Sequence, residues 1–338
     1  MLIQHPPSSD AFSRLLNFCE GHTSKAYPLH SRTHAMHHPR LFVKRDDELS
    51  FGVSGSKLRK YASLLPWVKP QNRPVALVGA LYSNHILSLV QLLKQECIPY
   101  YLFLKKTSSS RIEGNAFLLS LLTRQDRIFF LDEIPHPLPE QWKASWESTL
   151  QTSPLWIPLG AAMPESLPGA LSLPLDIVRN EQELDKNFSS LFVDAGTGLT
   201  AIALLLGVAF LRKKVHTHVV LISGTAATFS QELAHYKSYL EKALQEEIPL
   251  PSYSLSYPVT AKSFGSCNQK VLRCIEETAA HEGIFLDPIY TAKLLLSVYD
   301  IQKHNPPSED TLWIHSGGGF SLFGYRNAFS KNSQLQDL

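Results

Sequence analysis

Short apolar runs alternate with longer helical patterns along most of the chain, and this alternation constrains the fold more than any other feature. Strands are predicted over 41–44, 75–78, 100–104, 128–131, 156–158, 191–194, 218–222 and 312–314. Helices are predicted over 57–65, 84–95, 114–122, 175–184, 200–211, 228–244, 269–282 and 291–300. Strands this apolar, separated by helices, belong to sheets covered on both faces. The expected class is therefore α/β, two-lobed, with mostly parallel sheets flanked by helices. A chain of 338 residues has room for two lobes. Pro- and Ser-rich loops at 134–139 and 151–154, and a small-residue turn at 54–57, mark the seams. The expected division is a larger lobe of residues 1–57 and 160–338, with a smaller α/β lobe of residues 58–159 inserted into it.

Charge excludes several partners. Thirty-two Lys+Arg against thirty Asp+Glu leave a formal charge of +2, so no basic field calls for nucleic acid or an anionic membrane. The longest apolar run, 199–211, is too short to span a bilayer and reads as a buried helix. Residues 1–10 lack a basic segment followed by an apolar one, which predicts no signal peptide and a cytoplasmic protein. Cys19, Cys97, Cys267 and Cys274 lack the paired spacing of zinc or redox sites and read as reduced thiols, mostly in the core. His30, His34, His37 and His38 cluster without companion acidic or cysteine ligands, so the segment reads as a polar surface loop and no metal is expected.

Ligands in open α/β sheets bind beyond the carboxyl ends of strands, so the strand-to-helix turns are where chemistry is sought. Lys57 follows the turn Phe51-Gly-Val-Ser-Gly-Ser56 and opens a helix. A helix start and partial burial both lower an amine's pKa, although a solvated lysine would explain the segment alone. Ser83 and Asn84 stand at another helix start, where capping is a sufficient explanation, but three polar groups with His85 exceed what a cap requires. In Asp194-Ala-Gly196-Thr197-Gly198-Leu199-Thr200, glycines and hydroxyls at a helix start suit a small phosphate group; the lysine of a nucleotide P-loop is missing. Three glycines follow His315-Ser316 after an apolar strand, and Tyr290 stands at a strand-to-helix break. An activatable lysine together with a phosphate-cradling turn points to pyridoxal 5'-phosphate.

In order along 27–326, the chain resembles the 1-aminocyclopropane-1-carboxylate deaminase / D-cysteine desulfhydrase family of the tryptophan-synthase-β-like, fold type II pyridoxal phosphate enzymes. The resemblance is carried by Lys44-Arg-Asp-Asp47, Gly55-Ser-Lys-Leu-Arg-Lys60, Ser83-Asn-His85, Gly196-Thr-Gly198 with Thr200, Asp287-Pro-Ile-Tyr-Thr-Ala-Lys293 and His315-Ser-Gly-Gly318. It implies that the larger lobe binds the cofactor and that Lys57 carries it and moves the Cα proton. It further implies that Asn84 bonds the ring hydroxyl, that Ser83 and His85 face the substrate carboxylate, and that Gly196, Thr197, Gly198 and Thr200 hold the phosphate. Tyr290 is implied beside the ring, assisting proton transfer, with Ser316 at the pyridine nitrogen. A homodimer is also implied.

A hydroxyl at the pyridine nitrogen leaves it largely neutral, whereas a carboxylate keeps it protonated and deepens the electron sink. Ser316 therefore tilts the expectation toward D-cysteine desulfhydrase-like β-elimination, giving pyruvate, ammonia and sulfide. The alternatives are a 1-aminocyclopropane-1-carboxylate deaminase-like activity or a cofactor-binding paralogue without turnover. The chain departs from the family pattern at Ser54, Ser56, Ala161 and Leu199, and in Ile-Leu-Ser after His85. A leucine at 199 implies a shifted or strained loop if that position needs positive φ.

Overall fold

The computed structural model describes residues 9–50, 55–106 and 112–329. Its strands are β1 (Thr33–Ala35), β2 (Leu41–Lys44), β3 (Val75–Ala80), β4 (Tyr100–Lys105), β5 (Ile128–Leu131), β6 (Leu155–Ile157), β7 (Ser190–Ala195), β8 (His216–Leu221), β9 (Tyr253–Ser256) and β10 (Thr311–Ile314). They form a six-stranded sheet of order β1-β2-β10-β7-β8-β9 and a four-stranded sheet of order β5-β4-β3-β6. Every pairing is parallel except β1 with β2. The fold is α/β, with parallel sheets flanked by helices.

The interior strands are apolar because helices cover both of their faces. All four residues of β2 are buried, as are all four of β10. The apolar run after β7 becomes the helix Leu199–Phe210, in which every residue except Thr200 is buried. It belongs to one core with Leu171, Leu205 and Phe229, while a second core around Tyr61, Leu77, Ile86 and Leu102 fills the smaller sheet. A side chain on one helix can thus meet the loops of both sheets only at the strand ends.

Two strands and four helices go beyond the sequence expectation, two of the helices being the four-residue Leu167–Ala170 and Arg326–Phe329. β1 and β9 are edge strands: β9 is Tyr-Ser-Leu-Ser with no fully buried residue, and β1 has three residues. Edges lack the two-sided burial that makes strands readable as apolar runs. The histidine-rich segment is accordingly not simply a polar loop, since it contains β1, and His34 Nδ1 is buried without a partner. The helix Glu140–Leu150 has no fully buried residue, so its pattern is weak, yet Trp142 and Trp146 pack on Phe103. The helix Ser9–His22 buries Leu15 and Cys19 against the large core. Of the four thiols, all unpaired, Cys19 and Cys274 are buried, Cys97 is exposed and Cys267 lies between, so fewer are core than expected. Among the described residues no helix is long and apolar enough to cross a membrane.

Candidate active site

The turns after β3, β7 and β10, together with the start of the Lys57–Val68 helix, converge on a cavity of about 770 Å³. Lys57, Ser83, Asn84, His85, Gly196, Thr197, Gly198, Thr200, Tyr290 and Ser316 all line it. These ten come from five segments far apart in sequence, and the structure brings every one of them to a single place.

Lys57 is delivered there by a close backbone approach. Gly55 has φ +54°, and a Cβ on it would lie 2.2 Å from the carbonyl oxygen of Ser316. Only glycine allows the chain entering the helix to lie against the turn leaving β10. The Ser56 N–H then donates to that same carbonyl at 3.0 Å. Burial lowers the pKa of Lys57, and the nearby Asp194 and Asp287 carboxylates only partly oppose it. Its amine stands 5.7 Å from the centroid of the Tyr290 ring. One turn on, Lys60 donates to the Gly160 carbonyl at 2.6 Å; burial and then repulsion from Lys57 bring its pKa down to about 7.

Behind the lysine lies a buried ionic network. Arg59 donates to both oxygens of Asp46, at 2.8 and 2.6 Å, and to Asp176 at 2.7 Å. Lys44 donates to Asp176, Asn180 and the Ser31 carbonyl. Ser56 joins this network, its hydroxyl donating to Asp46 at 2.9 Å. The serine thus has a structural occupation of its own, anchoring the residue next to Lys57. Ser54 lies outside the described residues.

The turn after β7 resolves the question of Leu199. Gly198 has φ +90° and precedes the helix, and Leu199 is that helix's first residue with no positive φ. The conformational demand therefore falls on Gly198, and the leucine is an ordinary core residue, neither strained nor displacing the loop. No side chain caps this helix, whose first N–H groups face the cavity end where Gly196, Thr197 and Thr200 lie. Ala161, by contrast, does carry a positive φ, +49°, and is fully buried.

At the turn after β3, Ser83 caps the helix Asn84–Gln95, its Oγ accepting from the His85 and Ile86 N–H groups at 3.2 and 3.4 Å. Asn84 Oδ1 accepts from Asn115 Nδ2 at 2.5 Å. His85 Nδ1 pairs with the Tyr61 hydroxyl at 2.9 Å, while its Nε2 is buried without a partner. Burial, with Lys60 and Lys57 adding repulsion, lowers its pKa well below the ordinary histidine value, so the ring is neutral. Asn115 and Lys60 were given no role by sequence reasoning; Lys60 at least falls within a motif segment.

Tyr290 is held by Asp287, whose carboxylate accepts from the Ile289, Tyr290 and Thr291 N–H groups. Burial raises the pKa of Tyr290, and the Asp287 and Asp194 carboxylates raise it further, so the phenol keeps its proton. Asp194, two residues before the glycine turn, was not singled out as a site residue. It lines the cavity, and its Oδ1 is buried without a partner. Burial pushes its pKa from 3.8 up to about 6, against the lowering influence of the Ser316 hydroxyl and Lys57.

This shift has a measurable consequence. A carboxyl whose pKa rises on folding contributes stability below its unfolded pKa of 3.8 that is lost as pH climbs through about 6. In cofactor-free protein, Asp194→Asn is expected to exceed the parent in stability by about 2–3 kcal/mol near neutral pH, falling toward zero near pH 4. Urea unfolding midpoints at both pH values check this, and a difference that does not change with pH would refute it.

No family model matches the chain. Among curated proteins, a Pyrococcus furiosus protein named as a 1-aminocyclopropane-1-carboxylate deaminase is 27% identical over 299 residues, covering 84% of this chain and 86% of its own length. The D-cysteine desulfhydrase of Serratia proteamaculans is 25% identical over 302 residues, covering 84% of this chain and 88% of its own. Among solved structures, an ACC deaminase homologue superposes with a TM-score of 0.82 at 22% identity, over 97% of this chain and 99% of that one. The processed threonine deaminase isoform 2 of Solanum lycopersicum superposes with a TM-score of 0.61 at 10% identity, over 99% and 97%. The chain thus has the fold of the fold type II pyridoxal phosphate enzymes and is similar in sequence, across most of its length, to their 1-aminocyclopropane-1-carboxylate deaminase / D-cysteine desulfhydrase group.

Proposed function

We propose that this protein is a pyridoxal phosphate-dependent lyase or deaminase of a small amino acid, with D-cysteine desulfhydrase-like β-elimination as its activity. The observation that carries this reading is Lys57: a half-buried amine of lowered pKa opening into the same cavity as an uncapped, glycine-led helix start. The residues present fit the cofactor. The Gly198 turn and the helix N–H groups suit its phosphate, Asn84 suits its ring hydroxyl, Ser316 its ring nitrogen, and Lys57 its aldehyde. When bound, pyridoxal phosphate supplies an electrophilic carbon for an amine and a sink for the electron pair left at Cα.

The chain's own residues do the rest. Lys57, its pKa lowered by burial, takes and returns the Cα proton. Tyr290 keeps its phenolic proton and serves as a donor beside it. Ser83 accepts its two cap bonds on oxygen, which leaves its hydroxyl proton for the substrate carboxylate. His85 offers the buried Nε2, with Tyr61 on Nδ1 setting the ring's orientation. Asn115 holds the Asn84 carbonyl oxygen and so leaves the Asn84 amide N–H groups as donors.

A 1-aminocyclopropane-1-carboxylate deaminase-like activity is the second reading, supported by the Pyrococcus furiosus relative. Turnover-free binding loses the support of Leu199 and Ser56, since one is an ordinary helical residue and the other anchors Asp46. Reconstituted protein assayed with D- and L-cysteine, β-chloro-D-alanine, D-serine and 1-aminocyclopropane-1-carboxylate is expected to release pyruvate and ammonia from D-cysteine. A four-carbon keto acid from the cyclopropane alone would favour the second reading, and no keto acid from any of them would overturn both. The two-lobed division at residues 58–159 and a homodimer belong to the same proposal. Ile112, Phe117 and Leu121, each half-exposed or more, supply an apolar face for such a dimer, which sedimentation velocity can test.

A further inference from the structure

Lys293 ends the Asp287–Lys293 segment, and none of the steps above uses it. It is a lysine only 1% exposed, three residues after Tyr290 and in the first turn of the helix Thr291–His304. A cation is disfavoured at that positive helix end, and a buried one needs a partner. The partner is a neutral backbone group: the amine donates to the Ser263 carbonyl at 3.2 Å. The same carbonyl accepts from the Ser266 N–H at 3.1 Å and the Ser266 hydroxyl at 2.6 Å. Gly265, at φ +74°, turns the chain there, and its carbonyl accepts from the Tyr325 hydroxyl at 3.3 Å. Asn268 Nδ2 donates to Thr260 Oγ1 at 2.6 Å and ties the ends of the loop together.

Between these anchors sits Phe264. Phe264, Gly265 and Tyr325 line the cavity together with Tyr290. The Phe264 ring meets the Tyr290 ring edge-on, with centroids 6.0 Å apart at 70°, and is 57% exposed. It therefore stands at the rim of the cavity and not in its floor. One helix start thus sends Tyr290 into the cavity and the Lys293 amine to the segment that covers the Tyr290 ring. An ionised donor makes the stronger hydrogen bond to a carbonyl, which suits a short exposed segment that must be held against its own conformational entropy. We propose that Lys293 is a positioning residue that pins residues 263–265 over Tyr290, so that Phe264 and Gly265 form the outer wall of the substrate site. The inference rests on the functional reading above and narrows its substrate class to amino acids with small, uncharged side chains. An apolar ring at the rim offers a charged side chain no partner and leaves a long one no room.

The test uses the full chain reconstituted with pyridoxal 5'-phosphate and the amino acid that the parent converts. Lys293→Met keeps the length of the side chain and removes the donor. It is expected to raise KM about tenfold with kcat changed less than about threefold, and to keep the visible cofactor band and the borohydride label on Lys57. Lys293→Arg, which keeps a donor, is expected to restore most of the KM. Phe264→Ala is expected to raise KM in the same way. An unchanged KM in Lys293→Met, a KM that Lys293→Arg leaves as high, or a KM rise accompanied by loss of the cofactor band overturns the proposal. If Lys293→Met does not fold, Phe264→Ala decides in its place, because that ring is mostly exposed and its removal opens the same wall. Failure of the functional reading is seen separately: the parent then releases no keto acid from any of the amino acids named above, and this proposal falls with it.

Discussion

Lys57→Ala protein is expected to lose at least about a thousandfold in turnover, together with the visible absorbance band of the bound cofactor. The size follows from two losses in one side chain. The amine is both the attachment point for an aldehyde and, with its pKa lowered, the group placed to move the Cα proton. Borohydride reduction followed by peptide mapping should label the Lys57 peptide in the parent and no peptide in the variant. Lys57→Arg keeps a cation in place but removes the nucleophile, so it should fail equally; retained labelling elsewhere in either variant would move the site away from Lys57. Lys60 is the control worth making. Its pKa is brought down to about 7, but its amine is committed to the Gly160 carbonyl, so it is not expected to take the label.

The largest effect on stability is expected at Arg59, on the same helix. Arg59, Lys44, Asp46 and Asp176 are almost wholly enclosed, and the two cations balance the two carboxylates. Burial alone would raise the Asp176 pKa, but Arg59 and Lys44 outweigh it and hold the carboxyl down at about 2. Asp46 is likewise lowered, burial being overcome by the Arg59 guanidinium. Arg59→Met preserves much of the volume but strands one negative charge, a change expected to cost about 3–5 kcal/mol. The loss should ease as pH falls from about 4 toward 2, where carboxyls of the unfolded and then the folded chain take up protons. Urea unfolding across that range checks both the size and the sign. Because Ser56 reports to Asp46, the variant should also weaken cofactor retention, whereas a merely distant core change should not.

Much of this fold was legible because interior parallel strands announce themselves. β2, β5, the helix at 84–95 and the helix at 269–282 have the bounds expected from apolar runs and periodicity. β1, β9 and the helix at 140–150 were not, because half-exposed elements at edges have no continuous apolar face to read. The site was legible in parts. Glycines, hydroxyls and a lysine at strand-to-helix turns carry a local signature, and all the residues so chosen line one cavity. Asp194 escaped because a carboxylate at a strand end looks the same whether it is solvated or enclosed. For Leu199 the condition for strain was open for a related reason: sequence shows which residue replaces a glycine, but not which position bears the positive φ, and that position is Gly198.

By itself, then, the sequence determined the α/β class, the turns that could bear chemistry and the candidate lysine, all of which depend on local composition and periodicity. Tertiary structure decided the rest. It set Gly55 against the Ser316 carbonyl, gave Ser56 to the Asp46–Arg59 network, and left one Asp194 oxygen buried without a partner at the cavity. Those features depend on desolvation and on distances between residues far apart in the chain, which exist only once two sheets and their loops have closed around the cavity.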